Sequence, residues 1–258
     1  MSVIETDLVD GVMTITMNDV ARRNALSRRL LHDLSAAFEH AERERDARVV
    51  VLTNNGPVFC AGADLAEQSG GGDEPPIVLG ELFDRISRSS KPYVGRINGH
   101  CVAGGIGLAA VMDISIAVDT ATFGFSEVRI GVAPAMISVV CLPKMRVADA
   151  RAAFLRGNRF SAARAADMGL INAAVAADSL DATVTDVIDD LLAGEPTALA
   201  AAKSLTVRVP TLSVDEANAW TAELSARLFR SDEAREGMTA FLEKRPAPWV
   251  RRRNESSD

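Results

Sequence analysis

Asn98-Gly-His-Cys-Val-Ala-Gly-Gly-Ile-Gly-Leu108 sets four small residues, Ala103, Gly104, Gly105 and Gly107, between a Val/Ile-rich run and a long apolar run. Glycine lets backbone approach a ligand closely, and a helix starting here presents unpaired N–H groups and a positive dipole end. Such a turn can hold a phosphate or the oxyanion of a reacting carbonyl. The spacing lacks G-x-G-x-x-G, because residues 104–110 read Gly-Gly-Ile-Gly-Leu-Ala-Ala, and no Gly-x-x-x-x-Gly-Lys-Ser/Thr occurs. The segment also sits at the third strand–helix junction, whereas a dinucleotide fingerprint belongs at the first.

Upstream lies a second small-residue turn, Cys60-Ala-Gly-Ala-Asp-Leu65, again after an apolar strand. Two such turns, each offering a free backbone N–H, can converge on one oxygen; each donor is worth ~3 kcal/mol of transition-state stabilisation. Close packing alone would equally call for small residues at both places.

The surrounding pattern is α/β. Val3–Leu8 and Val12–Met17 flank Val9-Asp10-Gly11 as a β-hairpin. Ser27 offers an N-cap to a helix striped with Leu30, Leu31, Leu34, Phe38 and Ala41. Val49–Leu52, Tyr93–Ile97 and Ile114–Val118 read as buried strands, with a helix over Ile77–Ser87, which predicts a largely parallel sheet with right-handed crossovers. Gln68–Pro76, with three glycines and two prolines, reads as a mobile surface loop. Helices are expected over 147–156, 162–168, 180–193, 197–208, 214–230 and 233–244, so an α/β core at 1–195 is followed by a helical region at 196–258.

The 258 residues carry 28 basic and 35 acidic side chains, a net charge of −7, which argues against nucleic acid as partner. No apolar run approaches the ~18 residues that span a bilayer, so no membrane partner is expected. The start, Met-Ser-Val-Ile-Glu-Thr-Asp, shows no secretory pattern, and a cytoplasmic location is expected. Cys60, Cys101 and Cys141 fit buried thiols, and His32, His40 and His100 form no ligand spacing, so no metal is expected. The Arg251-Arg252-Arg253 tail reads as a frayed terminus.

Taken together, Phe59-Cys-Ala-Gly-Ala-Asp-Leu65, Asn98-Gly-x-x-x-Ala-Gly-Gly-x-Gly-Leu108, Asp113 and Phe123-Gly-Phe-Ser-Glu127-Val-Arg-Ile-Gly-Val-Ala-Pro134 resemble the enoyl-CoA hydratase/isomerase (crotonase) family. The resemblance runs from Gly11 to Lys244 and is nearest to the family's methylglutaconyl-CoA hydratase-like bacterial branch. It implies a spiral fold of ββα units, a helical C-terminal region and a homotrimer or dimer of trimers. It also implies an acyl-CoA thioester substrate with no cofactor beyond the CoA of that substrate. Ala63 and Gly104 would supply the oxyanion-hole N–H groups, and Glu127 would be the general acid/base. Ala21, Arg22, Arg23, Ala61, Asp64 and Leu65 would line the CoA path. Phe241 and Lys244 would complete it, although Phe241 reads nearly as well as a core staple of the last helix. The acyl pocket would be walled in part by Ile137, Val139 and Val140.

One position departs from the family pattern. The first of the two glutamates that hydratases carry belongs three residues after Gly104, where this chain has Gly107. A one-carboxylate site can hydrate an enoyl-CoA if Glu127 both activates water and delivers the proton. It can equally shuttle a proton between carbons as a Δ3,Δ2-enoyl-CoA isomerase. A CoA-thioester-binding homologue with weak catalysis is the third reading.

Overall fold

Asp10 and Gly11 make the first turn because both adopt positive φ, 50° and 87°, as a two-residue hairpin loop demands. In the computed structural model, which describes residues 2–69 and 77–250, this turn joins β1 (Ile4–Val9) to β2 (Val12–Met17), with Val9 opposite Val12. Ser27 caps α1 (Arg28–Arg43) by accepting the Leu30 N–H, and the stripe Leu30, Leu34, Phe38 and Ala41 is buried.

A repeating unit follows: one strand in a long sheet, one short strand in a second sheet, then a helix. β3 (Val49–Asn54) leads to β4 (Val58–Cys60), α2 (Leu65–Ser69) and α3 (Ile77–Arg88). β5 (Tyr93–Ile97) leads to β6 (His100–Val102) and α4 (Gly104–Val111). β7 (Ile114–Val118) leads to β8 (Thr122–Gly124), a 3₁₀ turn over Glu127–Ile130, and α5 (Ala135–Cys141). Then come α6 (Val147–Arg156), β9 (Phe160–Ser161), α7 (Ala162–Asp167) and β10 (Ala173–Val175). The chain closes with α8 (Leu180–Ala193), α9 (Pro196–Arg208), α10 (Val214–Phe229) and α11 (Asp232–Leu242).

Among the described residues the long sheet has the order β1-β2-β3-β5-β7-β10 and the short one β4-β6-β8-β9. Every pair in the long sheet after the hairpin is parallel, and β3, packed on both faces, is buried along its whole length. Each unit advances both sheets by one strand, which turns the chain into a spiral. The short sheet is what the sequence pattern does not reveal, since its strands are only two or three residues long.

α8 and α9 dock on this core, α10 packs on α9, and α11 packs on α10. Lys203 on α9, its side chain 7% exposed, donates to Asp113 Oδ2 at 2.7 Å and to the Lys91 carbonyl at 2.9 Å. It also lies 5.1 Å from the centre of the Tyr93 ring. A buried ammonium needs such partners, and losing one is costly. Gly70–Pro76 and Arg251–Asp258, which hold most of the expected loop and the whole basic tail, lie outside the described residues. No described helix is long and apolar enough to cross a membrane.

Candidate active site

The carboxyl ends of β4, β6 and β8 lie side by side, with Cys60 facing Cys101 and Val102 facing Gly124 across parallel ladders. Neighbouring strands are about 4.8 Å apart, and each runs within three residues into a residue singled out by the sequence: Ala63, Gly104 and Glu127. Open α/β sheets bind ligands at this end of their strands.

The first two turns touch. A Cβ placed on Gly62 (φ 85°) would stand 2.8 Å from Ala103 Cβ and 3.2 Å from the Gly104 nitrogen. One placed on Gly104 would stand 2.8 Å from Leu26 Cδ1 and 3.8 Å from the Ala63 nitrogen. Ala103, which caps α4, is held at φ 50° and ψ −125°; for a residue with a side chain this costs on the order of 1–3 kcal/mol. Backbone bonds fix the frame: Leu26 N donates to Gly62 O (2.7 Å), Ala61 N to Arg23 O (3.2 Å), Ala103 N to Gly124 O (3.0 Å) and Ile106 N to Ala103 O (2.8 Å). None of these bonds uses the N–H of Ala63 or Gly104.

Glu127 opens the 3₁₀ turn that follows β8. It is half-buried, and its Oε2 is enclosed without a hydrogen-bond partner among the described residues. Burial raises its affinity for a proton above the usual carboxylate range, and its own backbone N–H opposes that shift. The neighbouring Cys141 thiol is pushed up chiefly by burial, pulled down by Lys144 and pushed up again by the Glu127 charge.

Gly107 marks the opposite case. It is buried, and a Cβ there would lie 2.5 Å from Ile137 Cγ2 and 2.6 Å from Phe83 Cζ. Phe83 from α3 and Ile137 from α5, 4% and 2% exposed, fill the place that a side chain at this position would need. Asp113, the nearest downstream carboxylate, is committed to Lys203 and to the Tyr93 N–H.

Beside the turns, Val20–Arg22 forms a 3₁₀ turn that brings Ala21, Arg22 and Arg23 to the surface. The fastener is Asn24, fully buried, whose amide donates to Val58 O (2.8 Å) and Asn55 O (3.2 Å) while its oxygen accepts the Asp19 N–H (2.8 Å). The sequence signal for it was an Asn able to adopt positive φ, 49° here, after a loop. Arg22 Nη1 is 3.8 Å from both Asp64 Oδ2 and Glu67 Oε1. Asp64 in turn accepts the Ala66 N–H at 3.0 Å and starts α2, leaving Leu65 exposed.

Two expectations about apolar residues are corrected. Phe241 is 82% exposed and so is no core staple, because α11 rests on α10 and turns this face outward. Of the expected pocket wall, Ile137 is buried, but Val139 is 73% exposed on the opposite side of α5. Lys244 is exposed too, and no recorded bond ties Phe241 or Lys244 to the Ala63–Gly104 turns.

The profile of the enoyl-CoA hydratase/isomerase family matches residues 7–252. The chain is 30% identical over 245 residues to a carnitinyl-CoA dehydratase of Proteus mirabilis, covering 90% of this chain and 92% of that one. It is 30% identical over 250 residues to a mevalonyl-coenzyme A hydratase of Aspergillus fumigatus, covering 92% and 91%. The solved enoyl-CoA hydratase of Mycobacterium smegmatis superposes with a TM-score of 0.90 at 29% identity, over 96% of this chain and 99% of that one. The ββα spiral, its helical C-terminal region and these likenesses make the chain a crotonase-fold member of the enoyl-CoA hydratase/isomerase family.

Proposed function

We propose that this protein binds an acyl-CoA thioester, holds its carbonyl oxygen with the N–H groups of Ala63 and Gly104, and moves protons with Glu127 alone. The observation that carries this reading is the enclosed Oε2 of Glu127, without a partner among the described residues, just past the strand next to two touching turns in which the N–H groups of Ala63 and Gly104 enter none of the bonds that fix the frame. A carboxylate kept from water binds a proton more readily, which suits it to exchange one with carbon. As charge develops on the thioester oxygen, two fixed N–H donors stabilise it. Ala21, Arg22, Arg23, Ala61, Asp64 and Leu65 would line the route by which CoA enters, with Arg22 Nη1 3.8 Å from Asp64 Oδ2. Phe241 and Lys244 would contribute from a neighbouring copy in a homotrimer or dimer of trimers.

Two reactions fit one base. The names of the relatives favour hydration, in which Glu127 activates water and returns a proton to the α-carbon. The apolar filling around Gly107 favours isomerisation, in which Glu127 takes a proton from C2 and gives it back at C4. Incubation with crotonyl-CoA and with a 3-enoyl-CoA separates them: loss of conjugated-thioester absorbance reports hydration, and its gain reports isomerisation. Tight binding of acyl-CoA without either change would identify a binding protein and overturn the catalytic reading.

A further inference from the structure

The turn that carries Ala63 is fastened to the segment Leu26–Arg28 at two points, one on each side of Ala63. Before it, Leu26 N donates to Gly62 O at 2.7 Å, and Leu26 pairs with Ala63 in a parallel bridge. After it, Asp64 Oδ1 accepts the N–H groups of Ala66 (3.0 Å) and Glu67 (3.4 Å), which starts α2. Glu67 Oε2 then accepts the Arg28 N–H at 2.9 Å. Arg28 is the first residue of α1, and the N-cap Ser27 serves Leu30. The Arg28 N–H is thus one of those that a helix cannot satisfy internally, and a carboxylate suits it by charge as well as by geometry. Glu67 Oε1 also lies 3.8 Å from Arg22 Nη1, but these side chains are 34% and 57% exposed. A pair so long and so exposed constrains little, so the bond to Arg28 is the tie.

We propose that Glu67 is a positioning residue that fixes the direction of the Ala63 N–H by tying α2 to the start of α1. This rests on the acyl-CoA reading above. With both anchors in place, residues 62–67 cannot rotate without breaking either the Leu26–Gly62 bond or the Arg28–Glu67 bond. Without the second anchor the turn keeps only the bond that precedes Ala63. α2, five residues long, is too short to hold its own place. A donor stabilises developing charge only if it is aimed before the charge appears, so a loosened Ala63 costs rate more than it costs binding. Glu67 also borders an open cavity of about 470 Å³ with Arg22, Asp64 and Ala66. The competing role is therefore a direct effect of its charge on a bound anion, which would act on KM.

The test measures kcat and KM of the full-length protein on crotonyl-CoA and on a 3-enoyl-CoA, for the wild type, Glu67→Ala and Glu67→Gln, with thermal melts to show that each is folded. Glu67→Ala should lower kcat by about tenfold and leave KM within about twofold. Glu67→Gln keeps an oxygen for the Arg28 N–H and loses the charge, and it should restore most of that loss. Should Glu67→Ala not fold, Glu67→Asp takes its place: it keeps the charge on a chain too short to hold the same bond, and its kcat should fall likewise. An unchanged kcat in the shortened variant, a Glu67→Gln variant as slow as it, or a KM that moves more than kcat overturns this inference alone. A wild type that turns over neither thioester overturns the acyl-CoA reading and takes this inference with it.

Discussion

The first and second turns of α4 are built for opposite ends. At the first, Ala103 is held in a conformation unfavourable for a side chain, and Gly104 lies against Gly62. One turn later, Gly107 has the same small residue type, yet its surroundings are filled by Phe83 and Ile137. Glycine at the first turn lets Leu26 and the Gly62–Ala63 turn lie close to the backbone, whereas at the second it makes room for side chains of α3 and α5. The same residue in one short helix thus carries two unrelated meanings, and only the neighbours on α3 and α5 distinguish them.

The contrast can be broken from either side. The largest effect is expected outside α4: Glu127→Gln should lower turnover by on the order of 10³-fold, with acyl-CoA affinity in calorimetry nearly unchanged. Undiminished turnover would remove Glu127 from the mechanism. Because burial raises the proton affinity of Glu127, its carboxylate form is reached at higher pH than that of an exposed glutamate. The kcat/KM profile should therefore climb with pH through a midpoint higher than that of an exposed glutamate, and Glu127→Gln should erase that limb.

Gly107→Glu in the otherwise native chain should destabilise the fold by about 3 kcal/mol in urea denaturation, since it overpacks a closed site. A well-folded variant would show that Phe83 and Ile137 can move aside. Gly62→Ala should lower kcat by about 10²-fold, because its Cβ would press on Ala103 at 2.8 Å and displace the donor turn. Its KM should move far less. The smallest effect is expected from Ala103→Gly, which releases backbone strain but adds freedom to the unfolded chain. A stability gain under about 1 kcal/mol, read from thermal melts, would locate the strain at Ala103; a marked loss would argue against it.

Much of this molecule was legible in the chain because long apolar runs and caps act locally. The hairpin at Asp10-Gly11, the cap at Ser27, β5, β7 and the helix Leu180–Ala193 all fall where periodicity puts them. The short sheet was not legible, since two or three residues cannot display an alternation. The three site segments were visible as turns, but their adjacency depends on β4, β6 and β8 pairing, which is a long-range fact. The absence of a carboxylate at Gly107 could be read directly. What fills its place could not, since Phe83 and Ile137 are each an ordinary apolar residue on an amphipathic helix. Val139 shows the converse, an apolar residue of the same run that faces outward.

The short sheet also sets the order in which the site can come into being. A growing chain holds Gly62 and Ala63 well before β6 is made, Gly104 before β8, and β8 before its antiparallel partner β9 at Phe160–Ser161. Contacts between segments so far apart form slowly, after the intervening loops have closed. The donor turns therefore meet only after β6 and β8 are made, and a nascent chain that stalls before Ser161 would carry Ala63, Gly104 and Glu127 without the strand that ends the short sheet.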